Sequence, residues 1–529
     1  MLKLFYILRR YKISQIFWKS YYLLKIKKFC SFSEIKTKYP KKNFNYFVNN
    51  SSTLLGNNFI KIFNQVFRDF ETKRKDKLIN YYINYFDFIN SKTNYKKIFL
   101  IKNIINKWNI FFLKKKSIIF DQYPLSIRIF NLIKWDLKFR NIDQTTKIII
   151  FKQADFLRKN LEYHLAGNHL ITNLKAMIYS SLYFDTKISN KWFYETIEIL
   201  DRQLDLQILD DGCHYEKSPM YHLNVIQDFI DICNILDSYN QNNLKIFRKI
   251  KKTINKMLNW SLSSCHLNRE IPFINDSNND SYFNLTEIIN NYEKTFKKKY
   301  FFKNKSFIHL KESGIIRIIQ KDLCLILNLS SKDPKYPTGH SHSDTFSYEI
   351  SQKKQKILVN KGISKYEISI DRILERSLES HNCTNIDNLN CTDVLGSFRV
   401  GKSPEINLKK YSIRKNNIEI QAQHNGFSTF YKKNIFYRTW QISKNKIQII
   451  DKFSHKGKIQ SYVHLHPSIE CDGSNFLIFK GKKIIKLISD GALKKKKSYW
   501  SPNFYNKIKS KSFNLCKNGN DLKIEYLIL

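Results

Sequence analysis

The pattern of apolar residues changes once along the chain, near residue 300, and this change constrains the fold more than any other feature. Before it, apolar side chains recur at helical spacing, as at Leu170, Leu174 and Ile178. After it come short runs of β-branched residues, as in residues 447–450. Because these runs follow one another without helical patterns between them, they favour an antiparallel β-sandwich. We therefore predict an α+β protein in which a helical region precedes a β-sandwich.

The length predicts more than one domain, since 529 residues exceed what one ordinary hydrophobic core supports. Three parts are predicted: a basic segment (1–57) that packs on or leads into the helices, a helical region (58–303) and a β-sandwich (304–529). Arg and Lys interrupt the first segment, so it lacks the ~20 consecutive apolar residues of a spanning helix. It also lacks the apolar core and cleavage site of a signal peptide. We predict no transmembrane segment, and the location stays open between cytoplasm and cell envelope.

The composition narrows the class of partner. The chain has 91 Lys and Arg against 45 Asp and Glu, a net charge of +46. Such a charge favours a nucleic acid, an anionic membrane or an acidic substrate, although codon drift toward Lys, Asn, Ile, Tyr and Phe explains part of it. No zinc-finger spacing or phosphate-binding loop accompanies the charge, so a nucleic-acid partner is not predicted. Nine cysteines without a CxxC pair indicate neither a disulfide framework nor a structural zinc cluster.

Histidines are concentrated in a few polar stretches. Seven of the 13 lie in residues 161–170, 210–222, 338–349 and 376–382. Random placement would scatter them more widely, so these stretches are candidates for one shared site. No GxSxG, HExxH, GxGxxG or Walker motif is present, which weighs against α/β-hydrolases, zincins, Rossmann enzymes and NTPases.

Four residues in these stretches have both a chemical and a structural interpretation. In a strand, His340 and His342 point to one face, where two imidazoles and a third histidine can hold zinc. Alternatively, one binds metal and the other faces substrate, or both are exposed loop histidines. Tyr221 follows Pro219 at the predicted start of a helix. It is either a core aromatic or a general acid or base whose proton nearby cations make easier to lose. Asn168 is either a site residue or part of a buried hydrogen-bonded pair.

Together the motifs resemble the heparinase II/III-like polysaccharide lyase family, of the type found in bacterial surface-polysaccharide clusters. The resemblance spans about residues 120–402, and its motifs occur in family order. The segments that carry it are YPLSIRIFNLIKW (123–135), LEYHLAGNHLITNLKA (161–176), ILDDGCHYEKSPMYH (208–222), REIPFINDS (269–277), YPTGHSHSDTFSYEI (336–350), LVNKGISKYE (358–367), RSLESHNCTNID (376–387) and GSFRVGK (396–402).

The resemblance implies an incomplete (α/α) toroid followed by an antiparallel β-sandwich. It also implies β-elimination on uronate-containing acidic polysaccharides, a carbon–oxygen lyase reaction that needs no cofactor. That reaction requires neutralisation of the uronate carboxylate, removal of the C5 proton and protonation of the leaving O4. The implied partner is an acidic polysaccharide, and the oligomeric state stays open.

The resemblance further implies a role for individual residues. Asn168 and His169 would neutralise the carboxylate. Tyr221 would be the base, the acid, or both in turn, and His340 would be the second acid or base. Three more residues would shape the substrate cleft: Arg128, Glu216 and Asn275.

The family's metal site is implied to use His342, a carboxylate in the next strand, and His381. At the strand position this chain has Asn360. Asn is a neutral and weaker ligand than Asp. We therefore expect weak or absent binding of a structural zinc, with His342 and His381 nonetheless close together.

Two alternatives to a lyase stay open at this point. One is a different glycan-processing enzyme on the same scaffold, such as one acting in envelope polysaccharide assembly. The other is a glycan-binding protein without catalysis. The joint presence of Asn168, Tyr221 and His340 speaks against the second alternative. All three should converge on one cleft if the protein is an enzyme.

Overall fold

A computed structural model provides the fold of the chain. It describes residues 13–24, 34–48, 52–55, 59–63, 65–68, 76–91, 98–114, 121–331, 339–414, 417–428 and 433–529. Much of the predicted N-terminal segment (1–57), and residues 336–338 of one family motif, therefore lie outside the described residues.

Helices dominate the described residues before residue 300, as predicted. They are α1 (Ile13–Leu24), α2 (Lys77–Tyr85), α3 (Ile98–Lys114), α4 (Gln122–Phe139), α5 (Gln144–Arg158), α6 (Gly167–Tyr183), α7 (Lys187–Gln207), α8 (Pro219–Ser238), α9 (Lys245–Ser264) and α10 (Leu285–Phe296). Helix α1 contacts the segment between α5 and α6, because the ring of Trp18 stacks on Tyr163 with centroids 4.9 Å apart.

A small antiparallel sheet departs from the predicted all-helical region. It consists of β1 (Ser52–Leu54), β2 (Phe59–Ile62) and β3 (Gln65–Arg68). Ile60 and Ile62 are buried while their neighbours in β2 are exposed. This alternation has the period of two that a strand requires. Residues 59–62, which we predicted to belong to the helical region, therefore form a strand.

Antiparallel strands form most of the described chain after residue 305, also as predicted. One sheet has five strands in the order of the chain: β4 (Phe307–Leu310), β5 (Ile315–Gln320), β6 (Leu323–Asn328), β7 (Tyr348–Gln352) and β8 (Gln355–Leu358). The one α-helix among the described residues of this region is α11 (Ile370–Arg376), which has seven residues. It is followed by β9 (Thr384–Ile386), β10 (Val394–Leu395) and β11 (Arg399–Val400).

A ten-stranded sheet makes up the rest of the C-terminal region. Its strand order is β12-β13-β14-β15-β20-β18-β17-β16, with β19 paired to β20 and β9 paired to β15. The remaining strands are β12 (Ile406–Arg414), β13 (Asn417–His424), β14 (Phe436–Ser443), β15 (Lys446–His464), β16 (Glu470–Cys471), β17 (Phe476–Phe479), β18 (Lys482–Ser489), β19 (Ala492–Asn503) and β20 (Asn506–Ile528).

Two hydrophobic cores organise these elements. One joins the two large sheets, since Leu325 of the five-stranded sheet and Trp440 of the ten-stranded sheet are buried in the same cluster. The other fills the helical region, and it also contains Trp500 and Phe504 from the β19–β20 hairpin. The tip of that hairpin therefore packs on the helices. The domain boundaries, between residues 57 and 58 and between residues 303 and 304, stay predictions.

The described residues include eight cysteines, and all eight are free thiols. No helix in the described ranges has both the length and the apolar character to cross a bilayer.

Candidate active site

A pocket lies where the helical region meets the tip of the β19–β20 hairpin. Helices α2, α4, α6 and α8 supply most of its walls. Six of the described lining residues are tyrosines. No described lining residue is Lys or Arg, although the whole chain is strongly basic. The lining residues are Leu78, Tyr82, Tyr85, Tyr123, Asn168, His169, Met220, Tyr221, Asn224, Asp280, Tyr282, Tyr366 and Phe504.

Asn168 is held at the first turn of α6 by an unusual backbone. Ala166 and Gly167 both have positive φ, at 54° and 57°, which turns the chain sharply into the helix. A Cβ atom on Gly167 would lie 2.1 Å from Oε1 of Glu216, so only glycine fits here. The Asn168 side chain is buried, and its Oδ1 has no hydrogen-bond partner among the described residues. A buried amide oxygen without a partner is suited to a ligand that donates a hydrogen bond.

His169 lies beside Asn168 and is prepared to carry positive charge. Its Nδ1 is 3.1 Å from Oε1 of Glu162, and its ring lies 4.3 Å from that of Tyr123. Burial alone would lower the pKa of His169, but the Glu162 carboxylate outweighs burial and raises that pKa above its ordinary value. The raised pKa favours the protonated form of His169, which would place a positive charge next to the Asn168 amide.

Tyr221 starts α8, where Ser218 caps the helix by accepting the Tyr221 N–H at 3.2 Å. The Tyr221 hydroxyl is 2.6 Å from the hydroxyl of Tyr366. Burial, followed by Tyr366, raises the pKa of Tyr221 well above its ordinary value. This differs from the prediction that nearby cations ease loss of the proton. Among the lining residues, the groups around Tyr221 are mainly aromatic, so the phenol is held in its protonated form.

His340 reaches Tyr221 from the other side of the site. The two rings stack with centroids 4.1 Å apart and planes inclined by 30°. Nδ1 of His340 is 2.9 Å from Oδ2 of Asp276. The same two residues are also joined through their backbones, because the Asp276 N–H donates to the His340 carbonyl at 2.9 Å. The imidazole is thus fixed by one carboxylate and one aromatic face.

Asp276 is a central residue that the sequence analysis missed. Its carboxylate accepts two hydrogen bonds from Arg372, at 2.6 and 2.8 Å, and is 2.7 Å from Nε2 of His342. Burial opposes ionisation, but Arg372 and the histidines overcome it and hold the pKa of Asp276 well below its ordinary value. Asp276 lies within the quoted segment REIPFINDS (269–277). Its partners are more than 60 residues away in the sequence, so no local pattern indicated the pairing.

His342 and His381 lie close together, with His342 Nδ1 3.2 Å from His381 Nε2. His342 uses its other nitrogen on Asp276. Asn360 donates from its side chain to the Phe273 carbonyl at 3.0 Å and accepts the backbone N–H of Asn382 at 3.0 Å. Both amide atoms of Asn360 are therefore committed to the backbone. These residues do not fit a zinc site as arranged, and no metal-binding group of three ligands occurs among the described residues.

Three residues predicted to shape the cleft do not line this pocket. Arg128 is buried within the helices, where it donates to Gln153 Oε1 at 2.9 Å and lies over the Trp108 ring. Its aromatic and amide partners lie inside the helical region, and its predicted role at the cleft stays a prediction. Asn275 bridges backbone groups, donating to the Lys217 carbonyl at 2.8 Å.

Glu216 lies directly beneath the start of α6, in contact range of Gly167. Burial raises the pKa of Glu216, and the Asn168 backbone N–H opposes that shift by hydrogen bonding to the carboxylate. Glu216 therefore supports the backbone that presents Asn168, without lining the pocket itself. Its predicted contact with substrate stays a prediction.

Comparisons with known proteins agree with the motifs. A family model described as heparinase II/III N-terminus matches residues 127–304, and one described as heparinase II/III-like, C-terminal, matches residues 303–525. A heparin-sulfate lyase from Bacteroides stercoris is 29% identical over 142 residues, which are 27% of this chain and 21% of that protein. One from Bacteroides thetaiotaomicron is 32% identical over 88 residues, or 16% and 12% of the two chains. The aligned part is thus about a fifth of these relatives or less.

Solved structures extend the likeness to most of the chain. A crystal structure of heparinase III matches 88% of this chain and 79% of its own, with a TM-score of 0.68 and 15% identity. A heparan sulfate lyase from Pedobacter heparinus matches the same shares with a TM-score of 0.58 and 15% identity. At such identity these matches establish a shared fold.

Proposed function

The chain belongs to the heparinase II/III-like family, and on that premise we propose that it is a polysaccharide lyase that cleaves uronate-containing acidic glycans by β-elimination. The observation that carries the proposal is the meeting of four residues. Asn168, His169 and Tyr221 line one pocket, and His340 stacks on Tyr221. The four come from three separate parts of the sequence, so only the fold brings them together.

We propose further that the helical region is an incomplete (α/α) toroid. The support is the sequential packing of its helices, since α6 packs on α4 and α7, and α8 packs on α9 and α10. The tyrosine-lined pocket would then lie at the open side of the toroid, next to the C-terminal sheets.

Neutralisation of the uronate is assigned to the start of α6. The Asn168 side chain is buried at the pocket wall, and its amide N–H can donate a hydrogen bond to a carboxylate oxygen. His169, whose pKa is raised by Glu162, supplies a cation beside it. As C5 loses its proton, negative charge moves onto the carboxylate. Donors placed there stabilise that charge more than they stabilise the bound substrate, which accelerates the reaction.

Proton removal is assigned to His340. In a neutral imidazole, the ionised Asp276 carboxylate 2.9 Å from Nδ1 favours the proton on Nδ1, which leaves the lone pair on Nε2. Nε2 can then accept the C5 proton. The electrons of the C5–H bond form the C4–C5 double bond, and the C4–O4 bond breaks.

Protonation of the leaving O4 is assigned to Tyr221. Burial keeps this phenol protonated, which suits an acid, and Tyr366 at 2.6 Å orients the hydroxyl. One proton leaves C5 and one reaches O4, so no water is consumed and the product carries an unsaturated uronate. The relatives named heparin-sulfate lyase support a uronate-containing substrate.

The test is to incubate the purified full chain with a panel of uronate-containing glycans, including heparan sulfate, and to record the absorbance of the unsaturated uronate. We expect a rising band on at least one glycan, together with new reducing ends in equal number. New reducing ends without that band would indicate hydrolysis and refute the lyase assignment. No cleavage of any panel member would favour a glycan-binding protein instead.

A further inference from the structure

The β19–β20 hairpin carries a dense positive charge that the active site does not use. Between Ala492 and Lys511 it contains seven lysines and no Asp or Glu. Residues 506–510 of β20 pair with β19 alone, because contact with the end of β15 begins at Lys511, whose carbonyl accepts the Leu465 N–H at 3.0 Å. The end of the hairpin is therefore a two-stranded arm that leaves the main sheet.

One face of this arm packs on the helical region and the pocket. The Trp500 ring stacks on Phe273 with centroids 5.7 Å apart. At the tip, the Phe504 N–H donates to Asp280 at 2.5 Å, and Phe504 itself lines the pocket. The arm is thus fixed in place, and its tip forms part of the active-site wall.

The other face is exposed and carries four residues that we call the lysine ladder: Lys497, Tyr499, Lys509 and Lys511. Strand register places Lys497 opposite Lys511, and Tyr499 opposite Lys509. The three lysines are exposed, and 52% of the Tyr499 surface is accessible. Directly opposed like charges destabilise a sheet, so the ladder does not serve the stability of the hairpin.

The three ladder lysines also have no acidic partner among the described residues, whereas other lysines of the same hairpin do. Lys507 pairs with Asp371 at 2.8 Å, and Lys517 pairs with Asp490 at 2.7 Å. None of the three ladder lysines forms an ion pair or side-chain hydrogen bond with any residue that the structure describes. Codon drift can raise the number of lysines, but it does not select which of them face each other without an acidic partner.

We propose that the lysine ladder is an extended binding surface for the acidic polysaccharide, which guides the chain along the hairpin toward the pocket; this rests on the proposed function. Ladder residues on one strand are ~7 Å apart, a regular spacing that suits a repeating polyanion. Tyr499 offers an aromatic face to sugar rings between the charges. Because Phe504 lines the pocket, a glycan on the ladder is continuous with the site. The pocket itself lacks Lys and Arg among its described lining residues, so the ladder supplies the cations it does not have.

The test compares two triple variants in the Tyr221→Phe background, which removes turnover. The ladder variant is K497Q/K509Q/K511Q. The control is K298Q/K303Q/K305Q, which removes the same charge from exposed lysines that form no ion pair within the described chain. Affinity is measured by fluorescence anisotropy for labelled heparan sulfate, polygalacturonate and duplex DNA, each at low and high salt. Long and very short heparan sulfate chains are compared.

We expect the ladder variant to bind a long acidic glycan about tenfold more weakly at low salt, and the control to change it less than about twofold. High salt should reduce the difference, since exposed charges are screened. A chain too short to leave the pocket should bind both variants alike. The ladder variant should melt no lower than its parent, because it loses an opposed like-charge pair.

An equal loss of glycan affinity in the ladder and control variants would show that only net charge matters and would overturn the proposal. Unchanged glycan affinity of the ladder variant, or no glycan binding by the parent, would do the same. A loss confined to DNA would reassign the surface to nucleic acid. Because binding is measured without turnover, the result does not depend on whether any glycan yields unsaturated product.

Discussion

The helical and β-strand sides of the pocket differ in how their polar atoms are satisfied. On the helical side, the buried Oδ1 of Asn168 has no hydrogen-bond partner in the described chain. On the strand side, Asp276 from the loop between α9 and α10 meets residues of the C-terminal region, and Arg372, His340 and His342 share both of its carboxylate oxygens. An unpaired buried polar atom costs free energy, so it persists where a ligand will pair with it. The comparison indicates that the helical side keeps a buried acceptor free for a substrate group that donates a hydrogen bond, such as a sugar hydroxyl, while the strand side fixes the orientation of its imidazole in advance.

The largest effect on kcat is expected from Tyr221→Phe, which removes one hydroxyl at the place where the helical and strand sides of the pocket meet. Packing against His340 should remain, since the ring is kept. Loss of a proton-transfer group is typically worth about 10²–10⁴-fold in rate, so kcat should fall by that order with little change in melting temperature. Tyr366→Phe is the matched control, because it removes the hydroxyl partner but leaves the donor. Near wild-type formation of unsaturated product by Tyr221→Phe would refute the assignment.

The next effect tests the helical side alone. Asn168→Ala removes the unpaired amide and leaves the uronate charge opposed to loss of the C5 proton. Removing one such donor typically lowers kcat by about 10²–10³-fold. Stability should not fall with it, because no described partner of Oδ1 is lost. Thermal denaturation alongside kcat checks this, and a lower melting temperature with unchanged kcat would make Asn168 a structural residue.

A smaller loss of rate and a larger loss of stability are expected from Asp276→Asn on the strand side. Asp276 is a positioning residue for His340, so we expect kcat to fall about 10- to 100-fold and its pH profile to shift. Arg372 would lose its buried carboxylate, which costs about 3–5 kcal/mol of unfolding free energy. Because the pKa of Asp276 is depressed, its contribution is present above the ordinary carboxyl pKa of ~4 and is lost as the pH falls below it.

The control for Asp276 is Asp451→Asn. Asp451 accepts two hydrogen bonds from the equally buried Arg438, at 2.5 and 2.6 Å, within the ten-stranded sheet. Its loss should lower stability comparably and leave the kcat of the folded protein and its pH profile unchanged. A parallel change in the pH profile of both variants would show that Asp276 acts only through stability.

The sequence predicted the order of helices and strands because that information is local. Helical spacing around Leu170 and β-branched runs near residue 447 each reflect the burial of neighbouring residues within one element. It also selected Asn168 and Tyr221, which lie in recognisable motifs and line one pocket, although their catalytic roles stay predictions. Asp276 and Tyr366 were missed, since their roles depend on partners brought near by the tertiary fold. The motif of Arg128 did not indicate which side of α4 faces the pocket, and its predicted role at the cleft stays a prediction.

The smallest effect is expected from metal removal. Both ring nitrogens of His342 and both amide atoms of Asn360 have protein partners, so the strand side is completed by hydrogen bonds. Chelator treatment should therefore leave melting temperature and turnover unchanged, and metal analysis of protein purified without chelator should find less than stoichiometric zinc. Asn360→Asp sharpens the test, because it would place a carboxylate oxygen against the Phe273 carbonyl. In the absence of metal, this substitution should lower the free energy of unfolding by about 1–3 kcal/mol. Tightly held, stoichiometric zinc in the wild-type protein would show that Asn360 is no obstacle and that the observed hydrogen bonds rearrange around the ion.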